Sequence, residues 1–305
     1  MTTESAFISL MRAIAVNPAA RGLQDDAAVL EIGSEALVLT HDMMVEGIHW
    51  LRAADPADVA WKLVAVNLSD LAAKGARPVA VLLGFMLGND DWDRRFAEGL
   101  QQVLATYDVP LLGGDTVGGK GAGRSLGLTA MGAATHRPVP SRSGAMPGDA
   151  LYVTGTLGDA AAGHDLTLAG TGGAAALCDA FNRPKPLLTE GQKLAPHVHA
   201  MMDVSDGLLL DANRMAQASG LAIAIDLSAI PLSQAYIAQC GDTRESRLRA
   251  TSWGDDYQLL FAGPADASWP VPATAVGRFS AGQGLSLNDA GQPIELPVTL
   301  GHEHR

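Results

Sequence analysis

One carboxylate sets the hardest constraint on how this chain can fold. Asp70 lies within a helical stretch that opens at Asp55-Pro56, a capping carboxylate followed by proline at the first helical position, and closes at Gly75. Trp61, Leu63, Val64, Val66 and Leu71 make the stretch apolar, and Asn67, three residues before Asp70, shares its face. A solvated helix face would produce the same pair, but the flanking Leu68 and Leu71 favour an inward carboxylate. A buried carboxylate is costly unless it is paired or bound to a metal. With 21 Lys and Arg against 33 Asp and Glu, the chain has too few cations to pair every acid.

Asp26, Asp42, Asp115, Asp203 and Asp206 add to the constraint, because each follows or flanks a strand end or a Gly/Ser turn. Ala36 to Leu39 is a short apolar run that reads as a strand, so Thr40, His41 and Asp42 are expected at its end, open to a cleft. Further along, His49 and Trp50 offer an imidazole and a large flat ring. Oxygen donors without clustered Cys or His select hard cations, Mg²⁺ first. Three segments suit a phosphate. Gly113-Gly114-Asp115-Thr116 lets backbone approach closely, Ser205-Asp206-Gly207 precedes a helix, and Arg142 lies in Ser141-Arg142-Ser143-Gly144 as a clamp. Gly114 to Lys120 imitates a P-loop, but Gly121 stands where Ser or Thr should ligate the metal, so Gly118 to Gly123 reads as a hairpin.

Around these points strands and helices alternate. An amphipathic helix carrying Phe7, Leu10, Met11 and Ile14 stops at Pro18, and strands are expected over Ala27 to Ile32, Pro78 to Leu87, Val109 to Leu112 and Ser125 to Ala134. A helix capped by Asp90 reaches Tyr107. A Pro-, Gly- and Ser-rich stretch from Thr135 to Asp149 suggests two domains, 1–136 and 137–305. In the second, strands are expected over Ala150 to Thr154, Met201 to Val204, Leu221 to Ile225, Tyr257 to Phe261 and Thr274 to Phe279. Helices are expected over Gly158 to Ala169, after the small residues Thr171 to Ala176, and over Leu208 to Ser219. The class is α/β or α+β.

A net charge of −12 argues against nucleic acid and anionic membranes as partners. No segment approaches the ~20 apolar residues that span a bilayer. Cys178 and Cys240 are too few for a disulfide framework or a zinc site. A cytoplasmic protein is expected.

In chain order, Asp25 to Leu30, Thr40 to Trp50, Ala65 to Ala73, Gly113 to Thr116, Arg142 to Ala145, Tyr152 to Asp159, Asp203 to Leu208 and Gly254 to Tyr257 together resemble the thiamine-monophosphate kinases. These belong to the superfamily that includes aminoimidazole ribonucleotide synthetase. The resemblance implies ATP-dependent phosphorylation of thiamine monophosphate to thiamine diphosphate. It also implies an N-terminal domain that binds ATP and pairs with that of a second copy, a C-terminal α/β domain, and several Mg²⁺ ions. By motif match the metal ligands would be Asp26, Thr40, Asp42, Asp70, Asp115, Asp203 and Asp206, with His41 through its backbone. Gly114, Asp115, Arg142 and Ser205 would meet ATP; His49 and Asp255, with His302 near the end of the chain, would meet the thiamine substrate. Asp42, Asp70 and Asp115 would be central to catalysis. The chain departs from the family at Gln24, where glycine is usual, and at Trp253 and Asp255, where Gly and Glu are usual. Gly301-His302-Glu303-His304 stands where relatives carry an aromatic. Two alternatives stand beside this reading. One is another ATP-using member of the superfamily, with selenide chemistry disfavoured by the lack of Cys before position 178. The other is a Mg²⁺–nucleotide-binding protein without turnover.

Overall fold

A computed structural model describes residues 4–119, 123–170 and 174–303. The first half runs α1 (Glu4–Arg12), a 3-10 turn, β1 (Ala28–Ile32), β2 (Glu35–Val45), α2 (Pro56–Ala73), β3 (Ala76–Leu87), α3 (Asp90–Tyr107), β4 (Leu111–Gly118) and β5 (Ser125–Ala134). The second runs β6 (Ala150–Thr154), α4 (Asp159–Ala169), α5 (Ala175–Asn182), α6 (Leu188–Leu194), β7 (Ala200–Asp203), α7 (Leu208–Ser219) and β8 (Ala222–Asp226). It ends with α8 (Gln234–Cys240), α9 (Arg244–Ser252), β9 (Leu259–Gly263), β10 (Ala273–Ser280), β11 (Gly284–Asp289) and β12 (Gln292–Ile294).

The strands form two sheets. One has the order β1-β2-β5-β3-β4, with β3 and β4 parallel and its other pairs antiparallel. The other has the order β12-β11-β8-β10-β6-β9-β7. The result is a two-domain mixed α/β chain.

Helix α2 lies between them. Asp55 caps its start, accepting from Ala57 N–H at 2.8 Å, and Pro56 follows. Its leucines and valines pack with β2, β3 and β5, while Ala72 and Ala73 join a core with Ala150, Tyr152, Leu194 and Phe261 of the other half. A helix apolar on nearly every face is a buried helix. Contact with α6 depends on Gly191, where an added Cβ would stand 2.0 Å from the Ala72 carbonyl oxygen.

Several expectations change in the structure. β2 continues past Leu39 to Val45, so Thr40, His41 and Asp42 sit mid-strand, paired with Ala130, Thr129 and Leu128 of β5. Their polarity does not end the strand, because the backbone ladder to β5 continues through all three residues whatever their side chains face. Likewise Gly113 to Thr116 lie inside edge strand β4, which also ends the P-loop imitation: Gly114 to Gly118 form a strand rather than a turn entering a helix. Asn89, not Asp90, caps α3, accepting from Trp92 N–H at 2.9 Å. Lys120 to Ala122 of the expected hairpin, Thr171 to Gly173 and His304 lie outside the described residues. Helices α6, α8 and α9 and strands β11 and β12 had no counterpart in the sequence pattern. Both cysteines are free thiols, half-buried. No described helix is long and apolar enough to cross a membrane.

Candidate active site

The α2 face toward the first sheet explains the Asn67–Asp70 pair. Thr40 and Asp42 point from β2 to α2, since their partners across the sheet, Ala130 and Leu128, lie in the core beneath that helix. Thr40 donates its hydroxyl hydrogen to Asp70. Asn67 Oδ1 accepts the Asp42 backbone N–H at 3.0 Å, while its own amide donates to the Leu63 carbonyl at 2.9 Å. On the neighbouring face of α2, Ser69 donates to Asp203 at the end of β7. One helix thus ties an acid of each sheet to its own polar face.

Asp26, before β1, meets Arg142 and, at 2.6 Å, Lys74 Nζ. Lys74 is fully buried at the end of α2; it also meets Asp25 and donates to the Met201 carbonyl at 3.1 Å. After β7, Asp211 accepts the backbone N–H groups of Ser205 and Asp206, each at 3.1 Å, and so closes the Ser-Asp-Gly turn at the head of α7. Arg214 bridges Asp206 and Asp211.

The electrostatics show which acids converge. Burial pushes Asp42 up to about 6, and Asp206 and Asp26 add to the push. Burial takes Asp203 up to about 8, reinforced by Asp26, Asp211 and Asp42 against the hydrogen bond from Ser69. Asp70 rises well above the usual carboxylate range through burial and then Asp42, Asp203 and Asp26. Asp211 is raised to about 7 by burial and Asp206, with Arg214 and Arg142 opposing. Asp25 goes the other way: burial works to raise it, but Lys74 and Arg21 together hold it well below the usual range. Asp26, Asp42, Asp70, Asp203 and Asp206 are therefore one electrostatic group at the junction of the two sheets.

Two expected members stand apart. Asp115 pairs with Gly84, and Gly84 with Gly127, the neighbour of the His41 ring. Asp115 and His41 therefore share the outer face of the first sheet, opposite Asp42. The His41 ring contacts Thr129 Oγ1 at 2.9 Å there, so its side chain is not among the acids. Gly114 is also on β4, three strands from Asp42 in the sheet order.

The side chains as placed are turned toward protein partners. Among the described residues, no three acidic, imidazole or thiol side chains are placed to hold one ion. Asp26 and Asp206 turn onto Arg142, Lys74 and Arg214, and Asp70 and Asp203 take hydroxyl hydrogens from Thr40 and Ser69. The donor chemistry still fits a hard divalent cation. Every donor is oxygen, and the carboxylates lie close enough to suppress one another's ionisation, which bound positive charge relieves.

A second polar group lies beside the cluster. Val45 N–H donates to His49 Nδ1 at 2.9 Å, which fixes the ring in the turn after β2. Lys62 of α2 donates to the His49 carbonyl at 3.1 Å and pairs with Asp255 Oδ2 at 2.8 Å. Tyr257 donates its hydroxyl to Asp255 Oδ1 at 2.9 Å. His302 N–H donates to the Asp206 carbonyl at 2.9 Å, bringing the C-terminal segment alongside. Sequence reasoning missed Lys62, Lys74, Asp211, Arg214 and Tyr257. For the two lysines the signal was available, since each interrupts an apolar helical stretch as Asp70 does.

Comparison with known proteins decides the family. Residues 24–134 match the AIR synthase related protein, N-terminal domain, and residues 146–261 match its C-terminal domain. The thiamine-monophosphate kinase of Salmonella typhimurium is 37% identical over 306 residues, covering 93% of this chain and 91% of the relative. That of Caulobacter vibrioides is 38% identical, with 94% and 86% covered. The chain belongs to the thiamine-monophosphate kinase family. Among solved structures, AaThiL complexed with AMPPCP and TMP superposes with a TM-score of 0.87 at 31% identity, covering 98% of this chain and 97% of that one. The Aquifex aeolicus thiamine monophosphate kinase gives 0.81 at 30% identity, with 95% and 97% covered. The two-sheet architecture and the helix between the sheets are thus those of a thiamine-monophosphate kinase.

Proposed function

We propose that the chain transfers the γ-phosphoryl group of ATP to thiamine monophosphate, forming thiamine diphosphate by in-line attack. The observation that carries the proposal is the group of five aspartates at the sheet junction, with His49 and Asp255 beside it. A phosphate acceptor is already an anion at neutral pH, so its attack needs no strong general base. The obstacle is repulsion: two unit charges at 4 Å and an effective dielectric near 20 repel by about 4 kcal/mol. Asp26, Thr40, Asp42, Asp70, Asp203 and Asp206 would hold several Mg²⁺ ions, with His41 assigned through its backbone on the resemblance alone. Bound Mg²⁺ supplies charge neutralisation and alignment for the transferring group. Arg142 and the Ser205 turn face the ATP phosphates in this reading, with Arg142 sharing its guanidinium between phosphate and Asp26. His49, Asp255 and His302 face thiamine monophosphate. A steady-state assay with ATP, Mg²⁺ and thiamine monophosphate should yield thiamine diphosphate; ATP consumption without that product would overturn the assignment.

The working form is proposed to be a cytoplasmic homodimer formed through the domain spanning residues 1–136. The outer face of the first sheet supports this, because Met43, Leu82 and Val117 are 56%, 38% and 50% exposed there. An apolar sheet face open to water marks an association surface. Gly114 and Asp115 lie on the edge strand of that sheet and are assigned to ATP and metal. Sedimentation at micromolar concentration should give a dimer, and a monomer would contradict it.

His49 serves as a positioning donor in this scheme. His49→Ala should raise KM for thiamine monophosphate while kcat falls comparatively little. A general base normally contributes about 10²–10⁴-fold. An unchanged KM with a loss of that size in kcat would make His49 the base.

A further inference from the structure

We infer that Lys62 and Tyr257 are positioning residues that hold the Asp255 carboxylate in place for the thiamine substrate. The inference rests on the reading that Asp255 meets that substrate.

The backbone at Asp255 comes first. Asp255 and Tyr257 both have left-handed backbones, with φ of 68° and 48°. Aspartate visits this region more readily than most residues, whereas a bulky side chain such as tyrosine rarely does. The conformation persists because the loop is pinned. Asp255 N–H donates to the Ser205 carbonyl and Tyr257 N–H to the Val204 carbonyl, each at 2.8 Å. An added Cβ on Gly254 would come within 2.2 Å of the Ser205 oxygen, so only glycine allows this approach. The loop is therefore fastened to the turn that carries Ser205 and Asp206.

Fastened backbone leaves the side chain to be aimed. The Lys62 side chain is 3% exposed, and its ammonium meets Asp255 Oδ2, the His49 carbonyl and, at 3.9 Å, the face of the Phe181 ring. It is seven residues before Ser69 on α2, so the two occupy one face of the helix. That face reaches the second half of the chain twice, through Ser69 to Asp203 and through Lys62 to Asp255. Tyr257 is buried and donates to the other carboxylate oxygen. Each Asp255 oxygen thus accepts one hydrogen bond and retains capacity for another, so the carboxylate can accept from a substrate without leaving its place. Lys62 touches two of the residues assigned to the thiamine end, His49 and Asp255. A purely structural lysine would need the carboxylate but would have no bearing on substrate binding.

The test is a double-mutant cycle on the full-length protein, with thermal melts recorded for each variant. Lys62→Met should raise KM for thiamine monophosphate about tenfold and Tyr257→Phe about threefold, with kcat and KM for ATP changed less than about threefold. In an Asp255→Asn background Tyr257→Phe should not raise KM further, because it acts through the carboxylate already removed. Lys62→Met should raise it far less than in the parent, keeping only what runs through the His49 carbonyl. Effects that multiply with that of Asp255→Asn would overturn the positioning role. An Asp255→Asn enzyme with unchanged KM for thiamine monophosphate would instead overturn the assignment of Asp255 to the substrate, and the inference with it. Tyr257→Phe keeps the ring and removes only the hydroxyl, so it carries the cycle alone if Lys62→Met does not fold.

Discussion

Asp42→Asn should lower kcat by about 10²–10³-fold while leaving a folded protein, the scale expected when a preorganised electrostatic group is lost from a transition state. Asp42 sits mid-strand on β2, its backbone held by Asn67, and burial first, then Asp206 and Asp26, raise its pKa to about 6. Asparagine keeps the shape and one oxygen donor but loses the charge that makes the site attractive to Mg²⁺. Removing a carboxylate from a crowded buried group also relieves repulsion. The metal-free variant should therefore melt at or above the parent temperature at alkaline pH. Asp115→Asn should impair turnover too, but without any such gain, because Asp115 is exposed on the outer face of β4. Near-normal turnover of Asp42→Asn at saturating Mg²⁺ would sink the assignment of the cluster as the metal site. A variant that loses activity only because it unfolds would show it in the melt.

Much of this site could be read from the chain because its parts are local. Helix α2 announces itself by Asp55-Pro56 and by its apolar run, and the Asn67–Asp70 pair on that helix points inward as expected. The Ser205-Asp206-Gly207 turn precedes α7 as expected, because a glycine followed by an apolar helical run is a local signal. Strand ends were less legible. Thr40 and Asp42 looked like the end of a strand because the apolar run stops at Leu39, yet pairing with β5 continues for six more residues. Partner strands eighty or more residues away decide that pairing, and no local pattern records them. The same blindness ended the next strand at Leu112, although Gly113 to Thr116 continue it along the edge of the sheet.

The side of a strand on which a residue falls also depends on register. Asp42 and Asp115 looked equivalent in sequence, each a carboxylate beside an apolar run. The strand order places Asp115 three strands away and on the opposite face. The two lysines carried a signal in the sequence, but their partners did not. Lys62 and Lys74 each stand in the apolar helical stretch, but their partners Asp255 and Asp25 lie 193 and 49 residues away. Short helices α8 and α9 lacked a signal because their stability comes from tertiary contacts, such as buried Tyr236 against Ala250 and Leu177, rather than from a periodic apolar face.

Magnesium should stabilise this protein more at alkaline than at acid pH. The sign follows from three carboxylates. Asp42 is raised from 3.8 to about 6, Asp203 from 3.8 to about 8, and Asp70 well above 3.8, each chiefly by burial and then by its acidic neighbours. A folded-state value above the unfolded one means that the folded protein binds more protons between the two. The contribution of such a group is fully present below 3.8 and is lost as pH rises through about 6 for Asp42 and about 8 for Asp203. Without metal, the melting temperature should therefore fall across this window. A hard cation binds the deprotonated group, and below the raised pKa values each displaced proton weakens apparent binding about tenfold per pH unit. Binding to the folded state alone raises stability as the ratio of free metal to dissociation constant grows. Melts with chelator and with saturating Mg²⁺, at about pH 5.5 and about pH 8.5, should give the larger magnesium shift at the higher pH. Asp203→Asn should remove the upper part of the decline seen with chelator, because an amide has no proton to lose. Equal magnesium shifts at both pH values, or a decline that persists unchanged in Asp203→Asn, would show that these carboxylates are not the groups that hold the metal.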